Sequence, residues 1–249
     1  SYSELKTWSE CPYKRKLIYQ DRIKKFIGNN FTAFGRALHF LCENLVHDKV
    51  EDPEDLFNLA FEKELETIGK KEDDELAIQM REQAGSIHPQ IMPELNKNFG
   101  EFEVFSVEEK LYENIDDGDV PYKFKGFIDL VIKTEDGKYH IIDWKTCSWG
   151  WDAKKRSDKY IAYQLTLYKK YFCIKHNIDP KKLETYFGLL KRTAKKDNVE
   201  IFRVTSGPRK VDNATKLLTT ALIHISKGNH VKDIRSCAGC EIRTTEHCR

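Results

Sequence analysis

The sequence predicts a mixed α/β fold, in which a helical N-terminal part precedes a central sheet flanked by helices. Three observations support this prediction. Apolar residues recur at helical spacing over the first hundred residues, and they alternate or run together between residues 103 and 144. They then return to helical spacing around one further strand. This order of helices, three strands, helix, strand and helix is typical of a single sheet with helices packed against it.

The size and composition of the chain suit one domain. It has 249 residues, of which 40% are hydrophobic, and this is enough to bury one sizeable core. We find no internal repeat and no low-complexity linker in the sequence. We therefore expect a single domain over residues 1–249.

The N-terminal part is predicted to contain four helices. In the most regular of them, Leu38 and Leu41 lie three residues apart on one face, and Thr32 can cap its start. Pro12 interrupts the first helix, because proline cannot continue a helical hydrogen-bond ladder. The predicted helices span residues 3–18, 34–45, 53–69 and 73–98.

Three strands follow and predict a meander. The turn sequences GDVP and EDGK separate segments that alternate or run apolar. These strands are predicted over residues 103–113, 122–133 and 138–144. A helix over 153–176, a strand over 185–191 and a helix over 211–227 complete the prediction.

Charge is distributed unevenly along a chain whose net charge is only +2. Residues 51–110 carry a net charge of −11, residues 123–249 carry +13, and the first thirty residues carry +4. This asymmetry predicts that the two ends share a surface that faces a polyanion, with the acidic middle turned away. Ordinary solvated helix faces would explain the same pattern, and charge alone does not decide between the two.

Targeting signals and cysteine content bear on the compartment. The sequence contains no apolar run of about 18 residues, so we expect no transmembrane helix. Its first residues lack the apolar centre of a signal peptide. Seven cysteines, an odd number, favour a reducing compartment. A cytoplasmic location, with no membrane partner, is therefore expected.

Two neighbouring strands end in charged residues, and this pattern predicts chemistry. Asp129 interrupts the apolar run FKGFIDLVI, and Asp143 and Lys145 end the strand YHIIDWKT. A buried carboxylate is costly unless it is neutralised, paired or bound to a metal. Adjacent strands can bring the two acids together, where a divalent cation would relieve their repulsion. Such a cluster suits phosphodiester hydrolysis, although a simple Asp–Lys ion pair is the alternative.

The chain resembles the RecB-like branch of the PD-(D/E)XK nucleases, and the resemblance covers almost its whole length. Five stretches carry it, in the family's order: WSECPYKRKLIY near the start, FGRALHFLCE with Gly35 and His39, GFIDLVI with Gly126 and Asp129, IIDWKT with Asp143, Lys145 and Thr146, and YQLTLY with Gln164 and Tyr168. The resemblance implies a restriction-endonuclease-like core over residues 101–205. It places this core between a helical part over 1–100, which holds the His motif, and a C-terminal helix and cysteine segment over 206–249.

The resemblance also implies roles for these residues. His39, Asp129, Asp143 and the main-chain carbonyl of Trp144 would hold Mg²⁺ or Mn²⁺. Lys145 would orient the attacking water, and Gln164 and Tyr168 would position DNA or Lys145. Asp129, Asp143 and an upstream acid would complete the catalytic set. We favour Glu108 over Glu109 as that acid. Taken alone, a histidine such as His39 on an apolar helix is usually an ordinary core or surface residue. The polar side chains on the later helix and the two glutamates can likewise be solvent-facing groups.

Three cysteines at the C-terminus form a possible chelating site. The segment CAGCEIRTTEHC contains a C-x2-C pair followed by a third cysteine. The resemblance adds Cys11 and implies a 4Fe-4S cluster that joins the chain ends through Cys11, Cys237, Cys240 and Cys248, as in the iron–sulphur exonucleases of this branch, such as the AddB nuclease domain and CRISPR-associated exonucleases. The spacing before Cys248 is longer than the family's. The alternatives to an iron–sulphur cluster are a zinc site that uses His247 and thiols that bind no metal.

Basic loops with aromatic neighbours predict DNA contacts. The sequences DAKKRSDKY and KRTAKKDNVE follow two of the strands, at the edge of the sheet where phosphates would pass. Trp149 and Trp151 are predicted either to stack on bases or to pack as apolar side chains beneath the loop. The candidate DNA-binding residues are Trp149, Trp151, Lys154, Lys155, Arg156, Lys191 and Arg192.

These observations together predict a metal-dependent DNA exonuclease. By resemblance, its role would lie in DNA recombination, repair or end-processing. Two alternatives stay open: a structure-specific endonuclease acting at flaps or branches, and a non-catalytic DNA-binding subunit with the same fold. The sequence makes no prediction of oligomeric state.

Overall fold

The structure is a computed structural model that describes residues 1–23, 28–47, 50–70, 74–115 and 122–248. Its α-helices are α1 (Tyr2–Glu10), α2 (Pro12–Arg15), α3 (Asn30–Leu45), α4 (Pro53–Thr67), α5 (Glu75–Ile87), α6 (Ile91–Phe99), α7 (Ala153–Arg156), α8 (Lys159–His176) and α9 (Pro208–Ser226). Its strands are β1 (Phe102–Asn114), β2 (Lys123–Thr134), β3 (Tyr139–Cys147), β4 (Leu183–Lys191) and β5 (Val199–Arg203). A π-helical turn covers Lys16–Gln20, and short 3-10 helices cover His88–Gln90, Pro180–Lys182, Ile234–Cys237 and Glu246–Cys248.

The five strands form one sheet in the order β1-β2-β3-β4-β5. The predicted meander is confirmed, because β1, β2 and β3 pair antiparallel in succession. Strand β4 pairs parallel with β3, and β5 pairs antiparallel with β4. Parallel neighbours need a crossover connection, which α7 and α8 supply between β3 and β4.

Helices cover both faces of the sheet and bury two apolar cores. On one face, α8 packs with α1 and α9 over a core that includes Phe124, Tyr171 and Phe187. On the other face, α3 to α6 bury Phe34 and Trp144 in a second core. The mixed α/β fold class predicted from the sequence is confirmed.

Several helix boundaries differ from the prediction because of local capping. The predicted interruption of the first helix at Pro12 is confirmed, because α1 ends at Glu10 and α2 begins at Pro12. Between them, the Cys11 thiol sulphur accepts a hydrogen bond from the Lys14 main chain at 3.4 Å and so caps α2. Helix α3 begins earlier than predicted, and its cap is Asn29 rather than Thr32. Thr32 instead completes a capping box, in which its hydroxyl accepts a hydrogen bond from the Asn29 main chain at 2.8 Å.

Two other predicted helices also divide. The segment 73–98 separates into α5 and α6 around the 3-10 turn at Pro89, and residue 73 lies outside the described residues. The segment 153–176 separates into α7 and α8, and the Asp158 side chain caps α8 by accepting a hydrogen bond from the Tyr160 main chain. Each break therefore coincides with a residue that starts a helix rather than continues one.

Strand β5 is absent from the sequence prediction. It is five residues long and follows the basic segment KRTAKKDN, so its alternating pattern is too short to stand out. The EDGK turn is confirmed, with Gly137 at a φ of 75° that favours glycine. The GDVP turn falls outside the described residues. None of the described helices is both long and apolar enough to cross a membrane.

Candidate active site

The site lies where β2 and β3 carry their acidic residues side by side. The register that pairs Leu130 with Ile142 places Asp129 next to Asp143. The Asp129 carboxylate accepts a hydrogen bond from the Trp144 main chain at 2.7 Å, so it reaches across to the neighbouring strand. The two acids that the sequence analysis singled out are therefore neighbours in the structure.

A change in side-chain alternation brings Asp129 to its position. Ile128 and Val131 both pack in the core beneath α8, although strict alternation would turn residues three apart to opposite faces. Leu130 packs in the other core, on the side of α3. On β1, Val107 pairs with Leu130 and Glu109 pairs with Ile128, so Glu108 lies opposite Asp129. Glu108 has a φ of 48°. The irregularity thus coincides with Asp129 on β2 and with Glu108 on β1.

Asp143 is almost fully buried, with 1% of its surface exposed. One carboxylate oxygen accepts a hydrogen bond from the Gln164 amide at 2.9 Å. The other lies 2.5 Å from the Lys145 ammonium nitrogen, without the angles of a hydrogen bond. The Gln164 amide also lies 3.3 Å from the Tyr168 hydroxyl, so α8 supports the acid from behind.

His39 approaches the same point from α3. Its Nδ1 atom is 3.6 Å from Asp129 Oδ2, and its ring also contacts the Trp144 main chain. Burial, followed by the charge of Lys145, lowers the pKa of His39 to about 4. The imidazole is therefore neutral at pH 7, which is the form that can bind a metal.

Two glycines of the sequence motifs permit this close packing. A Cβ atom at Gly35 would lie 3.2 Å from the Thr146 hydroxyl, so glycine lets α3 approach β3 and carries His39 to the acids. A Cβ atom at Gly126 would lie 2.8 Å from Cε1 of Tyr168, which packs directly over β2. These contacts explain why both motifs contain glycine.

A third glycine makes room for Trp144. Gly188 pairs with Trp144 across β3 and β4, and a Cβ atom there would lie 2.2 Å from Cε3 of the indole. The Trp144 side chain is buried in the core, while its main chain contacts both Asp129 and His39. Packing between β3 and β4 thus fixes one part of the site.

Opposing charges shift the pKa values of the buried groups. Burial, reinforced by the charge of Asp143, raises the pKa of Asp129 well above its usual range. Burial alone would lower the pKa of Lys145, but the charges of Asp143 and Asp129 outweigh it and raise this pKa. Lys145 therefore stays protonated at neutral pH and compensates the carboxylates.

The two candidate upstream acids face different sides of the sheet. Glu109 pairs with Lys175 at 2.5 Å and His176 at 2.8 Å, both on α8. Glu108 instead lines a cavity of about 780 Å³ together with His39 and Glu43. The structure thus places Glu108, and not Glu109, beside the other candidate site residues.

Glu43 belongs to this cavity, and the sequence analysis missed it. Its side chain hydrogen-bonds Glu108, and burial followed by the charge of Glu108 raises the pKa of Glu43 to about 7. The signal was available, because Glu43 follows His39 by four residues and so shares its face of α3.

The described residues include no group of three or more His, Cys, Asp and Glu side chains arranged to hold a metal ion. In the active site, Lys145 pairs with Asp143, and the Trp144 main chain hydrogen-bonds Asp129. The donors themselves fit a hard divalent cation, since carboxylate and carbonyl oxygens with a neutral imidazole suit Mg²⁺ or Mn²⁺. The donor set itself supports this fit, since two buried carboxylates on adjacent strands lie beside the imidazole of His39.

The predicted cluster cysteines lie where the two chain ends meet. The Cys11 sulphur accepts a hydrogen bond from the Asp233 main chain at 3.5 Å, and the Cys237 thiol lies 3.9 Å from the Asp233 carbonyl oxygen. Near Cys248, the Tyr13 hydroxyl donates to the His247 carbonyl at 3.1 Å. All four are free, partly exposed thiols: Cys11, Cys237, Cys240 and Cys248.

The candidate DNA-binding residues divide into exposed and engaged groups. Trp149 is 77% exposed, and Lys154 and Lys155 are also exposed. Trp151 is only 8% exposed and packs against Phe187, so it takes the alternative role of a plug under the loop.

Three cations of this set make internal contacts. Arg156 pairs with Glu200 at 2.7 Å, and the buried Lys191 lies 3.5 Å from the same carboxylate. Arg192 donates to Gln83 and lies over the Phe31 ring at the edge of the cavity. Arg156 and Lys191 are thus committed to the fold, whereas Arg192 borders the site.

Comparison with known proteins agrees with the fold. The crystal structure of a proposed exonuclease from Eubacterium rectale superimposes with a TM-score of 0.63 at 15% identity, covering 100% of this chain and 86% of the other. A second structure, of SSO0001, has a TM-score of 0.40 at 16% identity, covering 96% and 92% of the two chains, which is too low to support an argument. No curated protein matches the sequence. The family model of the PD-(D/E)XK nuclease superfamily matches residues 1–246, and the chain therefore belongs to that superfamily.

Proposed function

We propose that this nuclease is a metal-dependent DNA exonuclease that hydrolyses phosphodiester bonds, with a role in DNA recombination, repair or end-processing. The observation that carries the proposal is that two contacts lie on neighbouring strands. His39 lies 3.6 Å from Asp129 on β2, and Lys145 lies 2.5 Å from Asp143 on β3. A non-catalytic subunit would gain nothing from burying two carboxylates beside each other, since their repulsion destabilises the fold.

The metal would be Mg²⁺ or Mn²⁺, held by His39, Asp129, Asp143 and the carbonyl oxygen of Trp144. When bound, such an ion polarises a phosphate oxygen and lowers the pKa of a coordinated water molecule. Glu108 lines the adjoining cavity and is proposed to accept a hydrogen bond from water on that side.

Lys145 is proposed to orient the attacking water and to offset negative charge that develops on the phosphate. Its ammonium group is placed for this by Asp143, at 2.5 Å. Gln164 is a positioning residue, because its amide holds Asp143 at 2.9 Å and also contacts Tyr168. These contacts support the roles that the motif residues suggest.

DNA is proposed to enter over the exposed side of the site. Among the candidates from the sequence, Trp149, Lys154 and Lys155 are exposed, and Arg192 lies over the ring of Phe31, which lines the cavity. We leave Trp151, Arg156 and Lys191 out of the proposed DNA contacts, since burial and ion pairs within the chain occupy them.

We further propose that Cys11, Cys237, Cys240 and Cys248 hold a 4Fe-4S cluster. The support is spatial: the N-terminal helices and the C-terminal segment meet at Asp233, beside two of the four thiols. A zinc site with His247 is the alternative, because zinc accepts the same thiolates.

The first prediction tests the catalytic proposal. Lys145→Ala and Asp143→Ala should each keep the fold and lose cleavage by at least about a hundredfold, because each removes a group that acts at the reacting phosphate. The measurement is release of nucleotides from linear DNA with Mg²⁺ or Mn²⁺, with circular dichroism as the check on folding. Lys227→Ala, an exposed lysine at the end of α9, is the control.

Substrate shape separates the remaining alternatives. An exonuclease leaves covalently closed circles intact, whereas an endonuclease acting at flaps would cut a circle that carries a branch. Undiminished metal-dependent cleavage by purified Lys145→Ala would contradict the proposed role of Lys145. No hydrolysis of any DNA by the unmodified protein would favour the non-catalytic alternative.

A further inference from the structure

We infer that the exposed face of the β1–β2 hairpin binds an unpaired DNA strand and leads it to Asp129. This inference rests on the proposed function and specifies its substrate as a single-stranded end. The surface, here called the hairpin face, consists of Lys110 and Tyr112 on β1 and Lys123, Lys125 and Phe127 on β2.

Side-chain alternation places these five residues on one face. The buried residues Leu111, Phe124 and Ile128 point into the core beneath α8. Their neighbours along the strands therefore point the other way. The register pairs Lys110 with Phe127 and Tyr112 with Lys125, so the five side chains are adjacent across the two strands.

The hairpin face combines aromatic rings with cations. Tyr112 is 54% exposed and Phe127 is 42% exposed. Lys123 lies 4.7 Å from the Tyr112 ring centre, and Lys125 lies 5.6 Å from that of Phe127. The hairpin face therefore offers exposed rings for stacking and ammonium groups for charge side by side.

Charge on this face is of one sign where the structure describes it. None of Lys110, Lys123 and Lys125 forms an ion pair with a described acidic residue, in contrast to Arg156 on α7 and Lys175 on α8. A polyanion can therefore bind these lysines without first breaking a salt bridge.

The hairpin face continues directly into the active site. Asp129 follows Phe127 by two residues and lies on the same side of β2, where it meets His39. Residues two apart along a strand are about 7 Å apart, so Lys125 and Lys123 lie roughly 14 and 20 Å from Asp129. The Tyr168 hydroxyl is also hydrogen-bonded to the Phe127 main chain, which ties this part of β2 to α8.

This chemistry fits unpaired DNA. Bases of a single strand expose their faces and can stack on aromatic side chains, while phosphates bind the lysines beside them. Paired bases are stacked within the duplex and cannot use Tyr112 or Phe127 in this way. The hairpin face should therefore favour a single strand over a blunt duplex.

Fluorescence anisotropy with a labelled oligothymidine in EDTA tests the inference without cleavage. Lys123→Ala/Lys125→Ala should weaken binding about tenfold or more and reduce the slope of log affinity against log salt by about 1.4, since each phosphate contact contributes about 0.7 for a single strand. Tyr112→Ala and Phe127→Ala should each weaken binding about five- to hundredfold through lost stacking. Tyr112→Phe, which keeps the ring, should retain the affinity.

Lys227→Ala is the matched control, because it removes one exposed lysine far from this hairpin and should leave binding unchanged. Hairpin-face variants that bind oligothymidine as tightly as Lys227→Ala would overturn the inference. Equal losses on oligothymidine and on blunt duplex of the same length would overturn the assignment to an unpaired strand. Preferential binding of the unmodified protein to phosphatidylserine vesicles would also overturn the assignment to an unpaired strand.

These outcomes are separate from a failure of the proposed function. If the unmodified protein hydrolyses DNA but the hairpin-face variants bind normally, only the inference about this surface fails. If the variants lose affinity but the unmodified protein hydrolyses no DNA, the exonuclease proposal fails and the hairpin face stands as a DNA-binding surface.

Discussion

At the scale of single residues, the site depends on contacts that leave no room for an additional atom. Tyr168 packs over Gly126 so closely that a Cβ atom there would lie 2.8 Å from its ring. Gln164 hydrogen-bonds both this tyrosine and the buried Asp143. A shift of the ring would therefore be passed on to the acid.

Gly126→Ala should destabilise the protein by about 1–3 kcal/mol, because an overpacked core must move side chains or backbone. The measurement is urea denaturation followed by circular dichroism. Gly85→Ala is the control, since a Cβ atom at that helical position has no neighbour within 4 Å. It should stabilise the protein by about 0.5–1 kcal/mol. Equal stability of the Gly126→Ala variant and the unmodified protein would contradict the close packing.

The sequence brought the right residues together where motifs fixed both identity and spacing, while the roles of these residues stay predictions. Asp129, Asp143 and Lys145 lie together because adjacent strands carry them, which the alternation of the strands predicts. Glu43 was missed because its contact with Glu108 depends on how α3 sits against β1, and no local pattern contains that packing.

At the scale of elements, α3 delivers His39 to the sheet, and its start is fixed by a capping box. The Asn29 side chain accepts from the Thr32 main chain at 3.0 Å, and the Thr32 hydroxyl accepts from the Asn29 main chain. The two side chains together satisfy backbone donors that the first turn leaves unpaired.

Asn29→Ala should lower the free energy of unfolding by about 1 kcal/mol, through the loss of one cap. Asn29→Ser should retain most of the stability, because a serine hydroxyl can accept the same bond. Thermal unfolding followed by circular dichroism compares the two variants. An alanine variant as stable as the serine variant would show that the cap contributes nothing.

Element boundaries were predicted less well than element identities. The turn at Pro89 and the cap at Asp158 each divide a segment that has continuous helical spacing, whereas Pro12 signalled the break after Cys11. Apolar periodicity indicates which face of a helix is buried, but it does not indicate the hydrogen bonds that start and end the helix. The short edge strand β5 escaped notice for the related reason that its five residues give too few repeats.

At the scale of the whole molecule, the two ends of the chain close on each other. The Tyr13 main chain donates to the Val231 carbonyl at 3.2 Å, and Lys232 donates to the Cys248 carbonyl at 2.7 Å. The two basic ends are therefore in contact, and a shared surface that faces a polyanion stays a prediction.

The proposed 4Fe-4S cluster predicts a brown protein after anaerobic purification, with a broad visible absorbance band and bound iron. Cys11→Ser should lose the iron and make the segment after Gly228 more sensitive to limited proteolysis, because it removes one of the ligands that would join the ends. Cys147→Ser, at the end of β3, should keep the iron. A colourless protein with bound zinc would support the zinc alternative, and the absence of both metals would contradict both proposals.

The pairing of Gly188 with Trp144 has a consequence for natural variation. The indole occupies the space that any side chain at position 188 would need, and the peptide groups of the same tryptophan touch His39 and Asp129. A single methyl group added at this interior position would displace the peptide plane that contacts His39 and Asp129, the residues proposed to bind the metal. Such an allele would leave every reactive side chain intact and yet impair the enzyme, so an inventory of motif residues would classify it as harmless.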